Sequence, residues 1–210
     1  MGYIITIARQ FSSGGRELGR RLADELGIAY YDKEILADIQ KKTPYSLSYI
    51  EEVSENRPIL LPPINYGNSF SLYTDVSLQQ NIDVHTAQNN IIREYVEKSN
   101  CVIIGRGADY TLRDKKPFRI FVYADMESRI KRCRDREEDH DRYNDKQLAR
   151  RIRNIDKKRR DYYEYYTGLK WGDKDNYDVM INTSNADIKK LAHNLALFIK
   201  DATREEEESK

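Results

Sequence analysis

The stretch from Ile4 to Ala23, IITIARQFSSGGRELGRRLA, constrains the fold more than any other part of the chain. An apolar, β-branched run (Tyr3 to Ile7) enters a turn of small residues, Ser12-Ser13-Gly14-Gly15, and leaves into a helix-like run, Arg16 to Leu26. Strand, glycine turn and helix in that order turn successive backbone N–H groups into one concavity, and the helix adds its unpaired first N–H groups and the positive end of its dipole. Such a turn holds an anion. The phosphate-binding pattern G-x-x-x-x-G-K-[ST] is nevertheless incomplete. With Gly14 on its second glycine, Arg9 falls on the first, Gly15 on the lysine and Arg16 on the hydroxyl residue.

Two readings of the turn follow. In one, Gly14 and Gly15 only reverse the chain, Glu17 complements the helix N-terminus and Arg16 is a solvated charge. In the other, Ser12, Ser13, Gly14 and Gly15 surround phosphates and Arg16 takes over from the lysine, since a guanidinium is always charged and forks onto phosphate oxygens. Glu17 then either holds Mg²⁺ as a hard oxygen ligand or repels the phosphate.

Five short apolar runs read as buried strands: Tyr3–Ile7, Ile28–Tyr31, Cys101–Gly105, Phe118–Tyr123 and Val179–Asn182. Without polar alternation and mostly separated by long helical or irregular stretches, they suit a parallel sheet covered on both faces. In such sheets ligands sit at the carboxyl ends of the strands. That rule selects the turn after Ile7, Asp32 after Tyr31, and Gly105-Arg106-Gly107. Asp32 could equally cap the helix expected over Lys33 to Lys41. Segment 43–77 carries Pro44, Pro58, Pro62 and Pro63 and reads as a short helix over roughly 46–55 plus a long loop. A further helix is expected over Leu78 to Lys98. Asp145 to Tyr166 forms an amphipathic helix with an apolar stripe (Leu148, Ile152, Ile155, Tyr162, Tyr163, Tyr166) and a cationic one (Arg150, Arg153, Lys157, Arg160). The cations are either a solvated face or an anion-binding one, and the tyrosines either pack the helix or stack a base.

The chain has 210 residues, enough for one substantial core, and its 34% charged residues nearly cancel at net +1, so global charge does not indicate nucleic acid or membrane. The two cysteines, Cys101 and Cys133, have no metal-ligand spacing and suit a reducing cytoplasm. No run reaches membrane-spanning length. His85, His140 and His193 are scattered without metal spacing.

With these pieces in order, the chain resembles the cytidylate-kinase-like branch of the P-loop nucleoside monophosphate kinases. The resemblance runs from the opening turn through CVIIGRGADYTL and RIFVYADMESRIKR to RIRNIDKKRRDYYEYYTGLKWGDKDNYDVMINTS. It implies an α/β, P-loop NTPase-like three-layer αβα fold with a five-stranded parallel sheet. A helical acceptor-binding insertion falls at about 33–98 and an arginine-rich lid at about 132–175. Residues 1–204 form one domain, followed by a disordered acidic tail at 205–210. By position, Ser12 to Glu17 would surround the donor phosphates and Arg106 would bind the acceptor phosphate. The aspartate of the family's Gly-Arg-Asp is replaced by Gly107, with Asp109 as a substitute. By the same resemblance Asp32 would be a nucleoside contact, and Arg129 and Arg132 match the basic helix before the lid. Asp156-Lys157-Lys158-Arg159 matches the lid's D-x-x-R, flanked by Arg153 and Arg160.

What the resemblance implies chemically is in-line transfer of a γ-phosphoryl group from ATP or another nucleoside triphosphate, with Mg²⁺, to a CMP-like nucleotide or other small phosphate-containing acceptor. Arg16, Arg106, Arg153 and Arg159 would carry the charge stabilisation. Nucleic acid and membrane are not expected partners, and the tyrosine-rich surface allows a homodimer. The alternative is an inactive nucleotide or phosphate sensor with a kinase fold.

Overall fold

A computed structural model describes residues 3–58, 73–135 and 143–208. Part of the long loop expected in the insertion (59–72) and part of the lid (136–142) lie outside the described residues.

The five apolar runs pair as one parallel sheet in the order β2-β3-β1-β4-β5, formed by β1 (Ile4–Arg9), β2 (Ala29–Tyr31), β3 (Cys101–Ile104), β4 (Phe118–Tyr123) and β5 (Val179–Asn182). Alternate side chains of a strand point to opposite faces. Ile5, Ile7, Val102, Ile104, Ile120 and Val122 lie on one face, against Leu18 and Leu22 of α1 (Gly15–Leu26) and Ala192, Leu195 and Ile199 of α8 (Ile188–Glu208). Cys101 and Ile103 lie on the other. There they meet Ile35 and Ile39 of α2 (Glu34–Lys42), Ile50 of α3 (Leu47–Glu55), and Ile91 and Ile92 of α4 (Tyr73–Lys98). Both faces being covered is why the strand sequences do not alternate with polar residues. Each fully buried isoleucine or leucine contributes about 1.5–3 kcal/mol.

Three further α-helices lie among the described residues. The four-residue α5 (Ala108–Thr111) follows β3, α6 (Met126–Arg134) follows β4, and the long α7 (Asp145–Thr167) precedes β5. A full capping box, Asn144 with Gln147, starts α7, and left-handed Gly168 ends it. Burial of Leu148, Ile152, Asp156 and Tyr163 on one stripe of α7 turns that face to the sheet's carboxyl end. The backbone of α8 runs on to Glu208 and takes in the acidic residues near the terminus. Among the described residues no helix is long and apolar enough to cross a membrane.

Most boundaries fall within two residues of the sequence expectation, and the differences have local causes. β1 extends to Arg9 because Ala8 and Arg9 pair with Phe121 and Val122 of β4. α4 begins at Tyr73, before the expected Leu78. Asp32 does not cap α2: the N-cap is Lys33, without a side-chain capping bond, and Glu34 Oε2 instead accepts from the Asp32 N–H at 2.9 Å.

Candidate active site

Adjacency of β1 and β3 sets up the site. Ile7 pairs with Ile104, and the Gly105 N–H donates to the Ile7 carbonyl at 2.9 Å, so the turns leaving the two strands open side by side. The first is Gln10 to Gly14. Its path is set by Gln10 N–H to the Val122 carbonyl (3.0 Å), Ser13 Oγ to the Gln10 carbonyl (2.9 Å) and Thr183 Oγ1 to the Ser13 carbonyl (2.6 Å). Beneath it lies the buried ion pair of Arg129 and Asp156. Asp156 accepts the Phe11 N–H at 2.7 Å and Arg129 Nε donates to the Phe11 carbonyl at 2.8 Å. Arg132 donates to the Thr183 carbonyl at 2.5 Å on the other side of the turn.

The turn carries two features that a simple chain reversal would not need. Ser12 adopts a left-handed backbone (φ 58°), and its buried Oγ has no hydrogen-bond partner among the described residues. Strain and an unpaired buried hydroxyl each cost free energy, and such costs gather at functional sites. A phosphate oxygen beside the head of α1 would satisfy that hydroxyl, so the cradle fits a polyphosphate. The lysine, by contrast, is excluded by packing. A Cβ at Gly15 would stand 2.7 Å from Arg9 Cβ and 3.2 Å from Val122 Cβ.

Arg16, in the first turn of α1, pairs with Asp32, with Nε 2.5 Å from Oδ2. Asp32 also lies 3.8 Å from Arg9 Nη2. Tyr30, whose hydroxyl donates to the Arg16 carbonyl at 3.4 Å, has its pKa pushed up to about 12 by burial and then by Asp32. Glu17 bonds Arg21 at 3.0 Å, a contact that Mg²⁺ would have to displace. Among the described residues no group of three or more His, Cys, Asp or Glu side chains gathers as a ligand set. An ion held by one carboxylate, phosphates and water needs none.

The second turn, Gly105-Arg106-Gly107, is left-handed at all three residues and closed by Ala108 N–H to the Gly105 carbonyl at 3.1 Å. Gly105 is glycine for a further reason: a Cβ there would fall 1.7 Å from Arg9 Nη1, so the Arg9 guanidinium lies directly on it. Arg106 reaches α3 with Nη1 to the Ser54 carbonyl at 3.1 Å, and its own carbonyl accepts from Gln88 Nε2 at 3.1 Å.

Two cavities meet at Arg106 and Gly107. The smaller, about 40 Å³, has Arg9, Arg106 and Arg159 in its wall together with Asp109, Trp171 and Tyr163. Asp109 is buried and accepts the Tyr163 hydroxyl at 2.7 Å. Burial pushes its carboxyl up, against that hydrogen bond, and burial with the neighbouring Asp109 pushes the Tyr163 hydroxyl up as well. The larger, about 110 Å³, lies between α4, α5 and α7 and includes His85, Tyr110, Arg113 and Tyr166. His85 stacks on Tyr166 with ring centroids 3.7 Å apart, and burial lowers its pKa to about 4.

The expected site residues therefore divide. Ser12, Ser13 and Gly14 lie in the first turn with Gly15 and Arg16 at the head of α1, and Arg106, Asp109 and Arg159 gather at the second. Arg129 and Asp156 are engaged beneath the first turn rather than lining a cavity, and Arg132 braces it. Arg153 and Arg160 are exposed on α7 and line neither cavity. Arg9, Gln88, Ser54 and Trp171 were missed. Arg9 stood in the sequence only as a departure from the glycine pattern, although its place at the carboxyl end of a central strand was a usable signal.

Comparison with known proteins agrees with this architecture. The model of the cytidylate kinase-like family matches residues 4–185. Among solved structures, an uncharacterized protein from Eubacterium ventriosum ATCC 27560 is 25% identical, with a TM-score of 0.66 over 94% of this chain and 98% of that one. Shikimate kinase from Bacteroides thetaiotaomicron is 15% identical, with a TM-score of 0.55 over 95% of this chain and 99% of that one. Shikimate kinase from Acinetobacter baumannii in complex with shikimate is 15% identical, with a TM-score of 0.51 over 95% and 94%. The two kinases share the fold alone. No curated protein sequence matches this one. By its opening turn, its sheet order and the family match along most of its length, the chain belongs to the cytidylate kinase-like family.

Proposed function

We propose that the chain is a phosphotransferase that moves the γ-phosphoryl group of ATP or another nucleoside triphosphate to a small anionic acceptor, a CMP-like nucleotide being the first candidate. The observation that carries this reading is the pairing of two sites on neighbouring strands. An anion-ready turn with an unpaired buried Ser12 hydroxyl opens beside a cavity walled by Arg9, Arg106 and Arg159. The family match and the shikimate kinases that share the fold support phosphoryl transfer in general. A cytoplasmic setting belongs to the same proposal and agrees with the free thiols of Cys101 and Cys133.

In this reading the N–H groups at the head of α1 and Ser12 Oγ hold the donor phosphates, and Arg16 supplies the charge a lysine would bring. Arg106 holds the acceptor's anionic group. Arg159, whose Nη1 donates to the Arg9 carbonyl at 3.3 Å, would stabilise the charge that develops between donor and acceptor. Arg153 reaches the reacting groups only on a rearrangement of α7. Mg²⁺, bound to the donor phosphates with Glu17 as its protein carboxylate, would neutralise charge on the transferred group. Such catalysis rests on positioning and electrostatics, and one well-placed arginine contributes about 10³–10⁵ in rate.

The second reading, a sensor that binds without turnover, is favoured by the Arg16–Asp32 pair, which already occupies the substitute cation. ATP turnover against a panel of nucleoside monophosphates and small phosphorylated or hydroxylated acids separates the two. Acceptor-dependent, Mg²⁺-dependent ADP formation above an Arg16→Ala control supports the enzyme. Tight ATP binding with no acceptor-dependent turnover supports the sensor.

A further inference from the structure

Moving the cation from the lysine position to Arg16 creates a physical problem. Arg16 carries its guanidinium on a long side chain that is 46% exposed, and an unheld arginine at a surface gives up much of its interaction to rotamer entropy and solvent. Asp32 meets that problem. Its side chain is only 9% exposed, and it takes Arg16 side-on, with Nε 2.5 Å from Oδ2 and Nη2 3.4 Å from Oδ1. Side-on pairing uses one edge of the guanidinium and leaves Nη1 for an anion. The Asp32 backbone is itself anchored, since its N–H is bonded to Glu34. Its other near cation is Arg9, which lies on Gly105 in the wall of the acceptor cavity.

The capping role that sequence suggests for this aspartate does not fit. Lys33, not Asp32, is the N-cap of α2, and Asp32 lines neither cavity. We infer that Asp32 is a positioning residue that acts through Arg16, holding that guanidinium in place for the donor phosphates and linking it through Arg9 to the acceptor turn. This inference rests on the phosphotransferase reading of the first turn.

A carboxylate near a phosphate site can also act by plain repulsion, and the two roles have opposite signs. Positioning requires that Asp32→Asn weaken MgATP binding about tenfold, although the substitution removes a negative charge. In an Arg16→Ala background the same substitution should change affinity by less than about twofold, because its intermediary is gone. Arg16→Lys, a surface change that folds whatever Asp32→Asn does, keeps the charge but loses the side-on geometry. It should weaken binding by a similar factor. Isothermal titration with MgATP reads these constants.

A nucleotide-free readout accompanies them: the Arg16 Nε–H resonance of ¹⁵N-arginine-labelled protein should be protected from exchange in the wild type and lose that protection in Asp32→Asn. Tighter or unchanged ATP binding in Asp32→Asn overturns the inference, as does an unprotected Arg16 Nε–H in the wild type. A protected Nε–H in a wild type that binds no triphosphate instead overturns the donor-site reading, and with it any role for Asp32 beyond local structure.

Discussion

The turns after β1 and β3 are neighbours, and each carries one non-glycine residue in a left-handed backbone, Ser12 in the first and Arg106 in the second. They use it differently. At Ser12 the strain presents a short hydroxyl and a row of backbone N–H groups, and the long cation of the region, Arg16, is held to one side by Asp32. At Arg106 the strain presents the cation itself, anchored to the Ser54 carbonyl beneath a carbonyl held by Gln88. The first turn is built to bind through its backbone, with charge added from outside. The second binds through charge, with the backbone as its mount. A lost lysine is therefore tolerable at the first turn, whereas a lost arginine at the second is not.

Removing what lies beneath the first turn should have the largest effect. Arg129→Ala leaves Asp156 buried and unpaired and should cost about 3–5 kcal/mol in urea unfolding. It should abolish triphosphate binding with it, since the Phe11 carbonyl loses its donor and the first turn one of its braces. Restoring the lysine of the phosphate-binding pattern comes next, and it should fail. Gly15→Lys drives a side chain into Arg9 and Val122, should destabilise by about 1–3 kcal/mol, and should not tighten ATP binding. Tighter binding with unchanged stability would mean that the turn is merely a degenerate copy of the lysine-containing pattern.

Arg106→Gly sharpens the contrast from the other side. Glycine adopts the left-handed backbone without strain, which offsets the lost Ser54 bond, so stability should stay within about 1 kcal/mol of wild type. The acceptor KM should nevertheless rise about ten- to hundredfold, with donor affinity unchanged. Should donor affinity fall instead, the two turns have been assigned the wrong way round.

The last effect concerns pH. His85 has a folded pKa of about 4 against an ordinary value of 6.5, so between those values the unfolded chain binds more protons than the folded one. Its contribution to stability is fully present above about pH 6.5 and is lost as pH falls toward 4. Thermal unfolding of His85→Asn should therefore show a shallower decline over that window than the wild type.

The fold was legible because its signals are local. Both-faced burial leaves the five strand runs apolar without alternation, and the glycine turn fixes where the first helix starts. Site residues were legible only where a motif named them, as at Ser12 and Arg106. Arg9 escaped because its role depends on the pairing of β1 with β3, which brings it over Gly105 from far along the sequence. The partners of Arg129, Asp156 and Asp32 are likewise distant in sequence, so motif position points all three at substrate while packing pairs them within the protein. The lysine's absence read as a defect, since sequence does not reveal that Arg9 and Val122 fill the space at Gly15.

The central claim is that the first turn still binds a triphosphate with Arg16 in the lysine's place. Isothermal titration of wild type and Arg16→Ala with ATP, with and without Mg²⁺, tests it most directly. Saturable, Mg²⁺-dependent binding to the wild type that weakens about tenfold or more in Arg16→Ala is the predicted result. Absence of binding, or equal binding by both proteins, would contradict it.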